Sequence, residues 1–185
     1  MADESMPTKR SNPAPLGLLG FGMTTVLLSM HNTGVIPLDD VTLAMGIFCG
    51  GLAQLLAGMM EYKNGNTFGT VAFTLYGMFW MALVAVKLGI LGAGSDGTTM
   101  GAFCFVWGIL TLFLFLGTLK GRTSTKIVFL TLTVTFFLLT AADLSGVEIL
   151  LTVAGVVGVF CGASAMYTAF AEILAEQHDR EVLPF

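Results

Sequence analysis

Charge is what this sequence has least of. Eight basic and twelve acidic residues make 20 charged positions in 185, or 11%, against about 25% in an ordinary soluble domain. Even these crowd at the ends: four in the first ten residues and five in the last fourteen, leaving eleven for the 161 between. The chain is 55% apolar, with a mean hydropathy of +0.86. A soluble chain of this size must show much of its surface to water, so a soluble globular domain is excluded. So are a disordered chain and a nucleic-acid binder, which needs a basic patch. An integral membrane protein is left.

Other absences narrow the chemistry. The three cysteines, Cys49, Cys104 and Cys161, sit singly inside apolar runs, a pattern that gives neither a disulfide framework nor a metal site. There is no HExxH, no GxSxG and no mid-helix Asp, Glu, Lys or Arg. His31 falls at the end of a span and His178 in the C-terminal tail. An acid or base inside the membrane is the usual mark of function there. Without one, neither an enzyme nor a side-chain proton relay is expected, and no cofactor or metal. The first apolar run is too long for a signal-peptide core, so a cleavable leader is not expected either.

Residues 11–38, 41–60, 64–86, 97–119, 127–142 and 149–171 are free of charge. A hydrocarbon layer about 30 Å thick takes about 20 helical residues. The short fifth window can be extended through Ser124 and Thr125. An all-α membrane protein with six transmembrane helices follows, over about 15–31, 40–60, 68–90, 99–118, 125–142 and 148–172. Lys and Arg gather on the cytoplasmic side of membrane proteins. With both termini cytoplasmic, that side holds Lys9, Arg10, Lys63, Lys120, Arg122, Lys126 and Arg180, and the outer side holds only Lys87. Residues 1–11 and 175–185 read as cytoplasmic tails, disordered through much of their length, around a transport unit at 12–174. Asn12, before Pro13, and Asn66, after the Asn64-Gly65 turn, are positioned to cap helices.

Glycine is abundant, at 23 residues. Gly46, Gly50, Gln54 and Gly58 recur every four residues on the second helix, and Ala154, Gly158 and Gly162 on the sixth. Such stripes let helix backbones approach closely, within one protomer or between protomers. Gln54, a neutral amide in hydrocarbon, needs a partner: it is either an interhelical bond or a polar step on a solute path. Tyr76 and Trp80 lie one turn apart near mid-span. The Tyr76 hydroxyl needs a partner too, which favours a position facing a lumen.

The segment Asn12-Pro13-Ala14-Pro15-Leu16-Gly17-Leu18 resembles the signature of the acetate uptake transporter family, and within it the bacterial succinate–acetate permeases. Agreement continues at Gly20-Phe21-Gly22-Met23-Thr24-Thr25, Ala44–Phe48, Glu61–Gly69, Phe115–Gly121 and Cys161–Ala165. It covers nearly all of 11–184, with Leu88–Thr99 shorter than the family pattern. The resemblance implies uptake of acetate, and in some members succinate, across the inner membrane. It implies a homo-hexameric ring with a pore in each protomer, and a hydrophobic constriction of Phe21, Tyr76 and Leu132. It ties Ala165 to substrate size. Some fungal relatives are discussed as ammonium exporters, so a pore for ammonia or another small neutral solute is the alternative.

For a carboxylate with no cation in the membrane, helix N-termini are the available partial charge. Asn12 and Asn66-Thr67 are therefore candidate stations at the inner mouth. Further in, Thr24, Thr131, Thr133 and Thr135 either line the path or bond their own backbone, and the Tyr76 hydroxyl could steady the carboxylate. The charge bias carries a test of orientation. A cysteine placed at Asp96 should react with an impermeant maleimide on intact cells, and one placed at Lys63 only after permeabilisation; the opposite pattern would reverse the topology.

Overall fold

The computed structural model describes residues 11–184; the tail expected at 1–11 lies, but for Ser11, outside them. Six helices are long and apolar enough to cross a membrane: α1 (Ala14–Asn32), α2 (Asp40–Lys63), α3 (Thr67–Lys87), α4 (Gly97–Thr118), α5 (Thr123–Ser145) and α6 (Glu148–His178). All the regular elements among the described residues are helical, as the charge-free windows require. The starts are fixed by side chains. Asp39 accepts from the backbone N–H groups of Val41 and Thr42, Asn66 from Gly69, and Asp96 from Thr99. The Thr99 hydroxyl also donates to Asp96, and these bonds hold its carboxyl below the usual range. At α1 the cap shifts by one residue: Pro13 occupies the cap position, and Asn12 accepts instead from Ala14 N–H.

The second helix is not uniform. Its middle, Gly46–Ala53, is a π-helix between two α-helical pieces, Asp40–Met45 and Gln54–Lys63. A π turn holds an extra residue and re-aims the helical turns after it; such turns are frequent at functional sites. Gly50 and Gly51 make it possible. A Cβ on Gly50 would stand 2.7 Å from the Trp80 ring, and one on Gly51 2.7 Å from Met81.

Packing runs in chain order. α2 lies on α1 and α3, α4 on α5, α5 on α6, and α6 closes back on α1. The α1–α6 seam is the most extensive and is close: a Cβ on Gly162 would stand 2.7 Å from the Gly22 carbonyl oxygen and 3.0 Å from the Val26 nitrogen. α3 reaches α4 through aromatic side chains instead, with Phe79 stacked on Phe103 at 5.5 Å. The small-residue stripes resolve to contacts within the protomer. Gly46 faces Val84, Gly58 faces Thr74, Gly158 faces Ser29 and Gly162 faces Gly22. They are spent on the bundle itself, so they do not supply the seam of a ring. Large apolar side chains such as Phe48, Met59, Phe113, Val156 and Phe160 point outward, as lipid contact requires.

The C-terminal segment differs from the disorder expected of it. α6 runs on to His178, and the Tyr167 hydroxyl donates to the Pro184 carbonyl at 2.8 Å, drawing the tail back along the helix. The α1–α6 seam yields a stability test. With backbone atoms at 2.7 Å and 3.0 Å, Gly162→Ala must push the helices apart, a strain of about 1–3 kcal/mol. Gly117→Ala meets only Phe68 at 3.4 Å. In detergent, Gly162→Ala should melt several degrees below the parent and Gly117→Ala should not; equal melting would mean the seam is loose.

Candidate functional site

A cavity of about 150 Å³ runs into the bundle between α1, α2, α3, α5 and α6. That is room for several waters, each taking about 30 Å³ in the liquid. Three of the helices give it a stripe at helical spacing: Ala14, Leu18 and Phe21 on α1; Gly69, Ala72, Phe73 and Tyr76 on α3; Thr125, Val128, Phe129 and Leu132 on α5. Phe21, Tyr76, Leu132 and Gln54 line it at its deep end. All four are at least 95% buried. The Phe21 and Tyr76 rings are 6.0 Å apart, and Tyr76 and Phe129 6.3 Å. The three residues expected at a constriction therefore meet in one cavity although they come from three helices.

The opposite end carries two carboxylates, Glu61 and Glu172. The buried Glu61 accepts from Asn66 Nδ2 at 2.9 Å. Glu172 accepts from Asn12 Nδ2 at 2.9 Å and from the Arg122 guanidinium at 3.0 Å. Asn12 and Asn66, expected as stations because helices start there, thus have both side-chain amides engaged by carboxylates of the chain. Asn66 serves twice, since its Oδ1 caps α3 while its Nδ2 holds Glu61. Among the described residues no Lys, Arg or His lines the cavity.

Other expected site residues fall elsewhere. Thr24, Thr67, Trp80, Thr131 and Ala165 do not line this cavity. Thr24 is wholly buried and donates to Gly20 at 2.8 Å and to Met45 at 3.2 Å. Thr131 donates to Ile127, Thr133 to Phe129 and Thr135 to Thr131, so these hydroxyl protons are spent on helix carbonyls. Ala165 lies in the buried cluster with Phe21 and Leu132, where its size acts through packing. Trp80 lies one turn beyond Tyr76, its ring against Gly50, and its buried Nε1 has no protein partner.

The Tyr76 hydroxyl is also committed. It lies 2.9 Å from Thr111 Oγ1, and Thr111 donates its one proton to the Trp107 carbonyl at 2.7 Å. Tyr76 must therefore be the donor of that pair, and no hydroxyl proton is left for a carboxylate. Gln54 is different. It has no exposed surface, its Nε2 donates to the Gly50 carbonyl at 2.7 Å, and its Oε1 has no protein partner. The reading of the sequence missed Thr111, Glu61, Glu172 and Phe129. Phe129 was within reach, lying three residues before Leu132 on one face; the others needed the fold.

Six membrane-length helices around a small, mostly apolar cavity define a multi-pass membrane protein built to hold or pass a small solute. The chain belongs to the GPR1/FUN34/yaaH family, whose model matches residues 2–184. It is 52% identical to the succinate-acetate/proton symporter SatP of Escherichia coli K12 over 181 residues, 96% of each chain. It superposes on the structure of the bacterial acetate channel SatP with a TM-score of 0.94 at 51% identity, covering 96% of this chain and 99% of that one. It is 37% identical to the ammonia transport outward protein 2 of Saccharomyces cerevisiae, spanning 92% of this chain and 64% of the yeast protein.

The double role of Asn66 makes the carboxylate end testable. Asn66→Asp keeps the cap but sets a second carboxylate against Glu61. It should lower the melting temperature, and adding Glu61→Gln should restore most of the loss because the new amide can donate to Asp. A double variant no more stable than the single one would mean that the two residues do not act on each other.

Proposed function

We propose that this chain takes up acetate, and with it succinate or other small carboxylates, across the inner membrane through a path in each protomer of a homo-hexamer. The transport unit is 12–174, and both tails are cytoplasmic. The cavity is the inner vestibule: it begins at Glu61, Asn66 and Glu172 and narrows at Phe21, Tyr76 and Leu132. The reading is one of transport, without catalysis. The observation that carries it is the convergence of those three residues, with Gln54, at the deep end of one cavity. An apolar ring of this kind sets a barrier by size and by excluding water. Two similar proteins, a succinate-acetate/proton symporter and an acetate channel, agree on acetate as solute and differ in mechanism. Ammonia is the second reading, and it rests on a relative less similar than these.

The test is uptake of labelled acetate into vesicles, with unlabelled succinate as competitor and protein amount normalised. Leu132→Ala removes one side of the ring. A leucine facing a cavity has fewer contacts than a packed one, so the loss of stability should fall at or below the low end of the usual range, about 2–5 kcal/mol. The variant should take up acetate at least as fast, and succinate should compete several-fold better. An unchanged preference at normal expression would remove Leu132 from the constriction. Wild-type vesicles that move methylammonium and not acetate would favour the ammonia reading.

A further inference from the structure

The two carboxylates at the mouth of the cavity are unequally satisfied. Glu172 has both oxygens engaged: Oε1 by the Arg122 guanidinium at 3.0 Å, Oε2 by the Asn12 amide at 2.9 Å. Glu61 holds Asn66 Nδ2 at 2.9 Å on Oε2. Its Oε1 has no hydrogen-bond partner among the described residues. Nor is that oxygen sealed: the sealed, unpartnered atoms are Thr25 Oγ1, Gln54 Oε1, Trp80 Nε1 and Ser124 Oγ. Glu61 exposes 3% of its surface and lines the cavity, so the free oxygen opens there. The placement is built. A Cβ on Gly69 would stand 2.8 Å from Glu61 Cδ and 2.9 Å from Cγ, so it is the bare backbone of α3 that lets the carboxylate fold inward.

A buried carboxylate oxygen without a donor calls for a cation, and among the described residues no Lys, Arg or His lines the cavity. A hard metal ion is a poor answer, since it asks for six or more oxygens and the rest of the wall is mostly Leu18, Phe68, Phe73, Phe129 and Leu132. An ammonium group on an aliphatic chain answers both features. Its three N–H donors suit the free lone pairs of Glu61, and its chain buries apolar surface against the rings. The bare ammonium ion has no chain and gains nothing from the wall.

We propose that this vestibule binds a primary alkylammonium ion, with its ammonium on Glu61 and its chain pointing toward Phe21, Tyr76 and Leu132, and that the bound ion plugs the path. It enters at the exposed Asn66 end, which is cytoplasmic by the count of Lys and Arg. The plug rests on the transport reading above; the binding does not.

Binding is tested by calorimetric titration of the full-length protein in detergent with hexylammonium, hexanol and hexanoate, each corrected for titration into protein-free micelles. Hexylammonium should bind at least about tenfold tighter than hexanol, the gain of a hydrogen bond to a charged group, and hexanoate weakest of the three. Each methylene added from butylammonium to hexylammonium should tighten binding up to about fourfold, the equivalent of about 0.8 kcal/mol. Hexylammonium no tighter than hexanol, or hexanoate tightest, would overturn the proposal. Glu61→Gln should weaken hexylammonium at least about tenfold and leave hexanol, which reads the apolar wall, bound as before; a variant that still binds hexanol and holds hexylammonium as tightly as the parent rejects Glu61 as the partner. The plug is tested by exchange of labelled acetate in proteoliposomes, with acetate, amine and pH equal on both sides so that the amine collapses no gradient, and with the rate of empty liposomes subtracted. Hexylammonium should slow exchange with a half-effect near its dissociation constant, and ammonium at the same concentration should not. Undiminished exchange with the site saturated would overturn the plug. Absence of any protein-dependent exchange in the wild type would defeat the transport reading, while the titrations still decide the binding site.

Discussion

A polar atom sealed in hydrocarbon must find its partner inside the chain, and that requirement shapes this molecule more than any other. The buried threonines meet it cheaply. Thr24, Thr111, Thr133, Thr135, Thr140 and Thr168 each return their proton to a carbonyl four residues back. They cost the bundle little and offer a solute nothing. With most of the hydroxyls neutralised in this way, few buried side-chain polar atoms among the described residues lack a partner: Thr25 Oγ1, Gln54 Oε1, Trp80 Nε1 and Ser124 Oγ. A path for a small polar solute is then defined by subtraction.

Close packing supplies the second half of the design. Where Gly22 meets Gly162, and where Gly46, Gly50 and Gly58 face α3 and α1, helix surfaces approach too closely for a β-carbon. Lipid gives helices no hydrophobic reason to associate, so van der Waals contact of this kind has to hold them. The α3–α5 side is built differently, from Phe68, Tyr76, Phe79, Phe129 and Phe136 meeting at ring centroid distances of 5.2 to 6.3 Å. The cavity lies between the two kinds of contact. The glycine seams bring the backbones close, and the bulk of the aromatic rings sets where the space ends.

This division explains what could be read before the fold was known. Six helices came from charge-free windows, because hydrophobic length is a local property and the bilayer imposes it on every span. The Asn66 cap came from a turn signal and its neighbour. Phe21, Tyr76 and Leu132 came from resemblance alone, since nothing local says that residues on α1, α3 and α5 converge. The π segment of α2 stayed hidden, because Gly46–Ala53 has the composition of any glycine-rich helix and the change in register depends on Trp80 and Met81 across the interface. The two carboxylates were missed for a related reason. Glu61 and Glu172 sit at helix ends, where charge is ordinary in sequence, and only the meeting of α1, α2 and α6 turns them inward.

The same geometry reassigns the helix N-termini. Partial positive charge at the starts of α1 and α3 would ordinarily invite an anion. Here Asn12 and Asn66 are bound to Glu172 and Glu61, and Arg122 is bound to Glu172 as well. The attraction is met from within by the chain's own carboxylates, and among the described residues no Lys, Arg or His lines the cavity. Water reaches the exposed Asn66 end, where a carboxylic acid can ionise; the ring at Phe21, Tyr76 and Leu132 is apolar. Between those two environments lies Gln54, whose amide nitrogen is bound to the Gly50 carbonyl and whose oxygen has no protein partner.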